Sequence, residues 1–139
     1  MKNSILILTI IITGCGLNQE EKNKKLQQDL YDEVMVIHDE VMPKISNILS
    51  LEKDLEGGIT ELDSLDPNYS EQVKILKNQI ARLQQADESM MQWMRNFEVN
   101  QEGWPHDSIM SYLSKEKERI SEVRDQMLGA IKGAEDLVK

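Results

Sequence analysis

Methionine and histidine are the residues of this sequence whose chemistry and spacing suggest a metal site. Met35, His38 and Met42 follow one another at steps of three and four, which places them on one face of a helix. A turn near residue 65 would fold the chain back and bring Met90 and Met94 opposite that face. Thioether sulfur is a soft donor that suits Cu(I), and an imidazole could complete such a site. These five residues are therefore candidate copper ligands.

The same residues also fit an ordinary hydrophobic core. Methionine fills irregular gaps in a core, and a lone histidine on an apolar face is more often hydrogen-bonded to a carbonyl or carboxylate than to a metal. Depending on where the first turn is centred, His38 lies level with Trp93 or with Asp87, and in both cases within about one helical turn of Met90. We favour packing over metal binding, because the sequence has no closely spaced pair of zinc ligands.

Asp87 and Glu116 form a second candidate pair, because each is the one polar residue on an otherwise apolar helical seam. If the second turn is centred near residue 101 or 102, the two carboxylates lie level with each other. Such a pair could transfer protons or bind a hard cation. Since Lys44, Arg82 and Lys117 are available as neighbours, a polar layer that fixes helix register is the better interpretation.

The clearest structural pattern lies in the middle of the chain. Apolar residues recur there at alternating steps of four and three, which is a heptad seam and predicts a helix packed against other helices. The seam residues are Tyr69, Val73, Leu76, Ile80, Leu83, Asp87, Met90, Met94 and Phe97. The following stretch, Glu98 to His106, contains a glycine and a Trp-Pro pair, which predict a loop.

A long first helix is predicted by apolar residues that share one face. They are Leu26, Leu30, Val34, Ile37, Val41, Ile45, Ile48 and Leu55, with Met35, His38, Met42 and Leu49 beside them. Pro43 lies inside this helix and lacks an amide donor, so we expect a kink near Asp39 to Met42 rather than a break. Gly57-Gly58 could end the helix, but the apolar spacing goes on, and we favour continuation to about Asp63.

The other helix boundaries follow from capping residues. A turn at Ser64 to Asp66 would make Asp66 the N-cap of the second helix and Pro67 its first residue, and Asp107 is the predicted N-cap of the third helix. The seam of the third helix comprises Ile109, Leu113, Glu116, Ile120, Val123, Met127, Ala130, Ala134 and Leu137. The sequence thus predicts an all-α, coiled-coil-like, antiparallel three-helix up-down-up bundle over residues 26–139. An extended oligomeric coiled coil is the alternative, because seams of this type serve both.

The first residues are predicted to be a targeting signal and not part of the folded domain. Lys2 precedes an apolar run, Ile5 to Ile12, which is shorter than the ~20 residues of a membrane-spanning helix and is typical of a secretory signal. The run ends in Ile12-Thr13-Gly14-Cys15, which resembles the lipobox of bacterial lipoproteins. This resemblance implies a signal peptide over residues 1–14, cleavage before Cys15, and lipid attachment to its thiol, with acylation of the new amino terminus.

A lipid-modified Cys15 would fix the location of the protein. Two or more acyl chains anchor a protein stably, so we expect a lipid-anchored, extracytoplasmic protein of the bacterial envelope, in the outer membrane. Residues 15–25 are mostly polar and charged and are predicted to be the tether. Because the sequence has no second cysteine, the fold must hold without a disulfide.

The charge of the chain limits its partners. Without residues 1–14, which contain Lys2, the chain has 15 basic and 25 acidic residues and a formal charge of -10. Phosphate backbones and anionic lipid surfaces repel such a domain, so we expect no nucleic-acid binding. Cationic partners suit it better.

Three segments carry a family resemblance. They are His38-Asp39-Glu40-Val41-Met42-Pro43-Lys44, Met90-Met91-Gln92-Trp93-Met94-Arg95-Asn96-Phe97 and Tyr112-Leu113-Ser114-Lys115-Glu116-Lys117. With them the chain resembles a family of small, uncharacterised lipoproteins of Bacteroidetes-type bacteria, often labelled viral A-type inclusion proteins because of their coiled-coil composition. The resemblance implies a helical lipoprotein and provides no catalytic residues.

The sequence predicts a function without catalysis. It contains no nucleophile elbow, no phosphate-binding glycine loop and no Cys/His pair, so we do not expect an enzyme. The prediction is a membrane-anchored envelope lipoprotein that acts as a helical interaction or scaffold module, with an unidentified envelope protein as partner. The alternative is an extracytoplasmic Cu(I)-binding protein that uses the His/Met cluster. The sequence leaves the oligomeric state open.

Overall fold

The computed structural model of the protein describes residues 15–138, with side chains from residue 18 onward. All regular structure in this range is helical, which confirms the all-α class. The elements are α1 (Cys15–Val41), a 3-10 turn (Met42–Lys44), α2 (Ile45–Glu61), α3 (Tyr69–Asn96) and α4 (His106–Glu135). The predicted signal peptide, residues 1–14, lies outside the described residues.

Pro43 interrupts the first long helix as a 3-10 turn, which starts at Met42, the last residue of the expected kink, and ends two residues later. The backbone stays in the right-handed helical region at Val41, at Lys44 and at Ile45. The amide of Ile45 donates to the carbonyl of Met42, which is the short bond of a 3-10 turn. The proline therefore changes the bonding pattern without ending the helical path, because it lacks an amide donor and clashes with the preceding turn.

Gly57 and Gly58 lie inside α2, which runs on to Glu61 as the spacing of apolar residues predicted. The helix ends when Leu62 adopts an extended conformation, with φ -66° and ψ 137°. Among the described glycines only Gly103 has a positive φ, 81°. The paired glycines are therefore not required by the backbone conformation of α2.

The turn before α3 differs from the prediction. Asp66 is not the N-cap of this helix, which begins at Tyr69 after Asn68. Instead the Asp66 carboxylate accepts the amide of Asn68 at 2.7 Å, and the Asp63 carboxylate accepts the amide of Leu65 at 2.9 Å. These are Asx turns, in which a short side chain replaces a backbone acceptor and competes with helix formation.

The predicted N-cap of α4 was also wrong. Asp107 was expected to be the N-cap, but Pro105 precedes the helix and Asp107 lies in its first turn. A carboxylate in that turn still offsets the positive end of the helix dipole. The helix starts earlier than predicted because Pro105, with φ -60° and ψ 146°, supplies the extended residue that a helix start needs.

The four helices share one hydrophobic core. Its buried residues are Val34, Val41, Ile48, Leu51, Leu55, Leu83, Ala86, Met90, Trp93, Ile120, Val123, Met127, Ala130, Ile131 and Ala134. Ile109 and Leu113, near the start of α4, are also buried but lie outside this cluster. Three residues predicted on seams are instead exposed: Leu26 at 42%, Leu49 at 55% and Leu137 at 40%. Leu137 lies beyond the last residue of α4, and Leu49 turns away from the face that α2 buries.

The buried face of α3 is rotated relative to the predicted seam. Its buried residues are Gln79, Leu83, Ala86, Met90 and Trp93. The predicted positions Ile80, Asp87 and Met94 are only partly buried. Since α3 packs against both α2 and α4, the centre of its buried face points between these two helices. A heptad seam describes packing against one partner helix, so it does not predict this centre.

Contacts between helices follow a consistent numerical order. Those that join the first long helix to α3 pair Tyr31 with Phe97 and His38 with Trp93, and a Cβ atom at Gly58 would lie 3.9 Å from Leu76. Those that join α3 to α4 pair Phe97 with Tyr112 and Gln79 with Ala130. In both sets the residue numbers of the contacting pairs rise along one helix while they fall along the other. Between α1 and α4 they rise together, from Gln27 with His106 to Glu33 with Lys117.

Candidate functional site

Cys15 is the first residue of α1, and its side chain lies outside the described part of the structure. The segment predicted to be a tether is the beginning of this helix. Bonds one turn apart run along it, from Gln19 to Asn23 at 2.9 Å and from Lys24 to Glu20 at 2.7 Å. The hydrogen bond from Lys24 lowers the pKa of Glu20. The segment after the candidate lipid site is therefore helical where it is described.

His38 lies against Trp93, as one of the two predicted registers required. The ring centroids are 5.7 Å apart with a tilt of 33°. The Nδ1 atom of His38 is 2.8 Å from the carboxylate of Asp39, and 16% of the histidine side chain is exposed. The imidazole is thus held between the adjacent carboxylate and an indole ring.

The candidate methionine ligands differ in burial. Met90 is fully buried in the core, three residues from Trp93 on the buried face of α3. Met42 and Met94 are partly buried against the core, and Met35 is also partly buried. In the described chain, no three or more His, Cys, Asp or Glu side chains form a group that could hold a metal ion. The Cu(I) site stays a prediction.

A chain of aromatic contacts, which the sequence analysis missed, continues from His38 and Trp93. We call Tyr31, Trp93, Phe97, Trp104 and Tyr112 the aromatic cluster. Its ring centroids are 4.8 Å apart for Trp93 and Phe97, 5.5 Å for Trp104 and Tyr112, and 6.0 Å for Phe97 with Tyr31 and with Tyr112. The cluster joins α1, the end of α3, the following loop and the start of α4. The four-residue spacing of Trp93 and Phe97 was the available signal.

Tyr112 connects this cluster to the loop before α4. The amide of Glu98 donates to its hydroxyl oxygen at 2.6 Å. Burial raises the pKa of Tyr112, and the bond from Glu98 lowers it by less. Buried aromatic rings with a bonded polar atom provide both packing and orientation. The Glu98 bond to Tyr112 therefore helps to hold the loop before α4 against the aromatic cluster.

Asp87 and Glu116 do not pair with each other in any described contact. The contacts of Phe97 with Tyr112 and of Gln79 with Ala130 imply that Glu116 lies level with Trp93 instead. The predicted turn centre was a few residues too early, because α4 begins at His106, seven residues before Leu113, which by the same contacts lies level with the end of α3 at Asn96. Glu116, only 3% exposed, accepts a bond of 2.7 Å from Arg119.

Asp87 faces a different carboxylate. Burial raises the pKa of Glu52 on α2, and the charge of Asp87 raises it further. The Oδ1 atom of Asp87 is buried without a hydrogen-bond partner among the described residues. Lys117, one of the three basic residues suggested as neighbours of Asp87 and Glu116, pairs with Glu33 at 2.6 Å. Two carboxylates that approach each other disfavour the charged form of both, and at Glu52 a side-chain hydrogen bond with Gln84 offsets part of this effect.

Gln79 supplies the buried polar contact between helices that had been assigned to Asp87. It is 5% exposed, and its Nε2 donates to the carbonyl of Ala130 at 2.7 Å. A Cβ atom at Gly133 would lie 2.9 Å from its Oε1. The small residues of α4 therefore leave room for a glutamine amide, and Gly129-Ala130 followed by Gly133-Ala134 was the signal for a close helix approach.

The described helices include none that is both long and apolar enough to cross a membrane. Between residues 15 and 138 the two buried polar residues, Gln79 and Glu116, both bond within the bundle, whereas Asp87 Oδ1 and Trp93 Nε1 are buried without a hydrogen-bond partner. A scan against protein-family models finds no match to the chain, and neither do searches of curated proteins and of solved structures.

Proposed function

We propose that the protein is a lipid-anchored lipoprotein of the bacterial envelope whose helices act as a non-enzymatic interaction or scaffold module. The anchor is Cys15, preceded by an apolar signal and the small residues of a lipobox-like motif. The location that we propose is extracytoplasmic, at the outer membrane. The module needs no cofactor beyond the covalent lipid.

We also propose that the module is an antiparallel up-down-up bundle. The support is the order of contacts: numbers run oppositely between the first long helix and α3, and between α3 and α4. They rise together between α1 and α4, where Lys117 of α4 pairs with Glu33 of α1. A single chain folded twice on itself has this order.

The distribution of charge carries the proposal of an interaction role. Residues 29–66 contain eleven acidic and two basic residues, a net charge of -9, whereas α4 contains six acidic and five basic residues. Most of the acidic side chains in residues 29–66 are exposed. Three large apolar side chains lie exposed among them, Val36 at 67%, Leu49 at 55% and Leu65 at 88%. A strongly charged surface with apolar side chains steers and then holds an oppositely charged partner.

The anchor and the module can be tested in one set of cells. The full chain should incorporate an alkyne-labelled palmitate and sediment with the envelope, and Cys15→Ser should lose both, because its thiol is the acceptor. A photo-crosslinking amino acid at Val36 should then give adducts with envelope proteins, and the same amino acid at Lys115 on α4 should give few.

The lipid anchor and the interaction role can each be contradicted separately. Undiminished labelling of Cys15→Ser would overturn the lipid anchor. A normally anchored chain that gives no adduct from Val36 would overturn the interaction role and leave the anchor intact.

A further inference from the structure

An open groove lies at the end of the bundle where α2 turns into α3. It has a volume of ≈ 720 Å³ and is bounded by residues of α2, of α3 and of the C-terminal segment. Its apolar lining consists of Leu55, Leu62, Ile75, Leu76, Leu137 and Val138. Ile75, Leu137 and Val138 are 46%, 40% and 42% exposed. We call this space, with Gly57 and Gly58 in its wall, the glycine groove.

The two glycines keep the groove open. A Cβ atom at Gly57 would meet nothing within 4 Å, and one at Gly58 would meet only Leu76, at 3.9 Å. Neither glycine has a positive φ. Glycine is among the most destabilising residues in a helix interior, and here neither conformation nor close packing requires it. What the pair provides is empty space beside an apolar wall.

The wall formed by the C-terminal segment is fixed in place. The amides of Leu137 and Val138 both donate to the carbonyl of Ala134, at 2.9 and 3.1 Å. The segment therefore continues the end of α4 and keeps two apolar side chains at the groove. In addition, α4 packs less extensively on α2 than on α1, which leaves this face of α2 open.

The charge around the groove selects its occupant. Between Glu52 and Lys74 the chain has seven acidic and two basic residues, a net charge of -5. Lys53, Asp54 and Glu61 lie in the lining itself, so the lining also has an excess of negative charge. A second copy of this chain would bring the same acidic residues to the contact, and an anionic lipid surface would also be repelled. A cationic occupant gains from both the apolar wall and the acidic rim.

We propose that the glycine groove binds a basic amphipathic helix of a partner protein. The groove runs between two helices, and its apolar residues recur along them, Leu55 and Leu62 on α2 and Ile75 and Leu76 on α3. A helix that lays apolar residues of i, i+3, i+4 spacing into such a groove is a common mode of recognition. Its lysine or arginine residues would meet Asp54 and Glu61. This inference rests on the interaction role proposed above and names its surface and partner class.

The probe is a fluorescein-labelled helical peptide of leucine and lysine, with leucine at i, i+3 and i+4. The full chain is held in phosphatidylcholine nanodiscs, and the anisotropy with empty nanodiscs is subtracted. The peptide should bind the wild-type chain. Gly57→Leu should weaken binding by about tenfold or more, because it fills a central part of the groove. A leucine–glutamate peptide of the same pattern should not bind.

Gly129→Leu is the matched control. Gly129 is also a helical glycine with open space around it, and it does not line the groove. Both leucine variants should raise the melting temperature, since leucine forms helices better than glycine, but only Gly57→Leu should lose the peptide. That combination separates a filled groove from a damaged fold.

Three results would overturn the proposal. The first is no binding to the wild-type chain, and the second is equal weakening by Gly57→Leu and Gly129→Leu. The third is a wild-type dimer that Gly57→Leu dissociates, which would make a second copy the occupant. If the groove fails while crosslinks from Val36 persist, the interaction role stands on another surface. If those crosslinks also vanish, the interaction role fails with it.

Discussion

At the scale of single residues, the most unusual electrostatic feature is the approach of Glu52 on α2 to Asp87 on α3. Burial raises the pKa of Glu52 above its ordinary value, and the charge of Asp87 raises it further. A carboxyl whose pKa is higher in the folded state binds its proton more tightly there. The stabilisation that it contributes is present below its ordinary pKa and is lost as the pH rises through the folded-state pKa.

Glu52→Gln should therefore raise the free energy of unfolding at pH 7. The gain should be below about 1 kcal/mol, because the site is partly solvated, and it should shrink as the pH falls towards 4. Urea unfolding of both proteins across this range measures the difference. Glu102→Gln in the exposed loop is the control, with little change at any pH. A gain from Glu52→Gln that is constant with pH would show that the charge of Glu52 is not its origin.

Burial of single residues was predictable only where helical spacing determines it. Met90 is in the core, and His38 does meet Trp93. The pairing of Asp87 with Glu116 was wrong because it depended on the centre of a loop, which residue types place only to within a few positions. The aromatic cluster was missed for the same reason, since the conformation of that loop brings Tyr112 against Phe97 and Trp104 against Tyr112.

At the scale of elements, Gln79 of α3 and Gly133 of α4 determine how closely two helices approach. The amide of Gln79 occupies the space that a side chain at Gly133 would need. Its bond to the carbonyl of Ala130 makes it a specific polar contact in an apolar interface. Such contacts are a well-attested means of fixing helix register.

Gly133→Ala should lower the free energy of unfolding. It forces the Gln79 amide from its bond, and a buried amide without a partner costs about 1–3 kcal/mol, which exceeds the gain of up to about 1 kcal/mol in helix propensity. Gly129→Ala, with no atom within 4 Å of the new Cβ, should raise stability. Denaturant unfolding compares the two.

A double-mutant cycle with Gln79→Ala assigns the cause of the loss. In the Gln79→Ala background, Gly133→Ala should cost far less, because the crowded amide is gone. An equal cost in both backgrounds would place the origin of the effect in another neighbour of Gly133.

Element types were more predictable than element ends or faces. The continuation of α2 through Gly57-Gly58 followed from apolar spacing, and the interruption at Pro43 followed from its missing amide. The starts of α3 and α4 did not follow, because Asp66 uses its carboxylate in a turn and Pro105 is itself extended. The centre of the buried face of α3 depends on two neighbours at once, which a single periodic pattern does not contain.

At the scale of the whole molecule, the charge is unevenly distributed along the chain. Residues 29–66 hold a net charge of -9, equal to that of all 139 residues, while the segments on either side hold +2 and -2. One contact between distant segments reduces this imbalance: Lys117 of α4 pairs with Glu33 of α1 at 2.6 Å. An exposed ion pair of this kind adds little stability, but it indicates that α1 and α4 are neighbours.

That ion pair distinguishes a folded monomer from an extended oligomeric coiled coil. Carbodiimide activates a carboxylate, and a contacting lysine then displaces the activating group to form an amide with loss of water. In the bundle, Glu33 and Lys117 should be joined within one chain, and mass spectrometry of the monomer band should contain that crosslinked peptide. Glu33→Gln should remove it and leave the local crosslink between Lys25 and Asp29, which are 2.9 Å apart on one helix. In a coiled coil of extended chains, residues 84 positions apart would lie far apart along a single helix. A crosslink between Glu33 and Lys117 that occurs only in a dimer band would therefore contradict the up-down-up monomer.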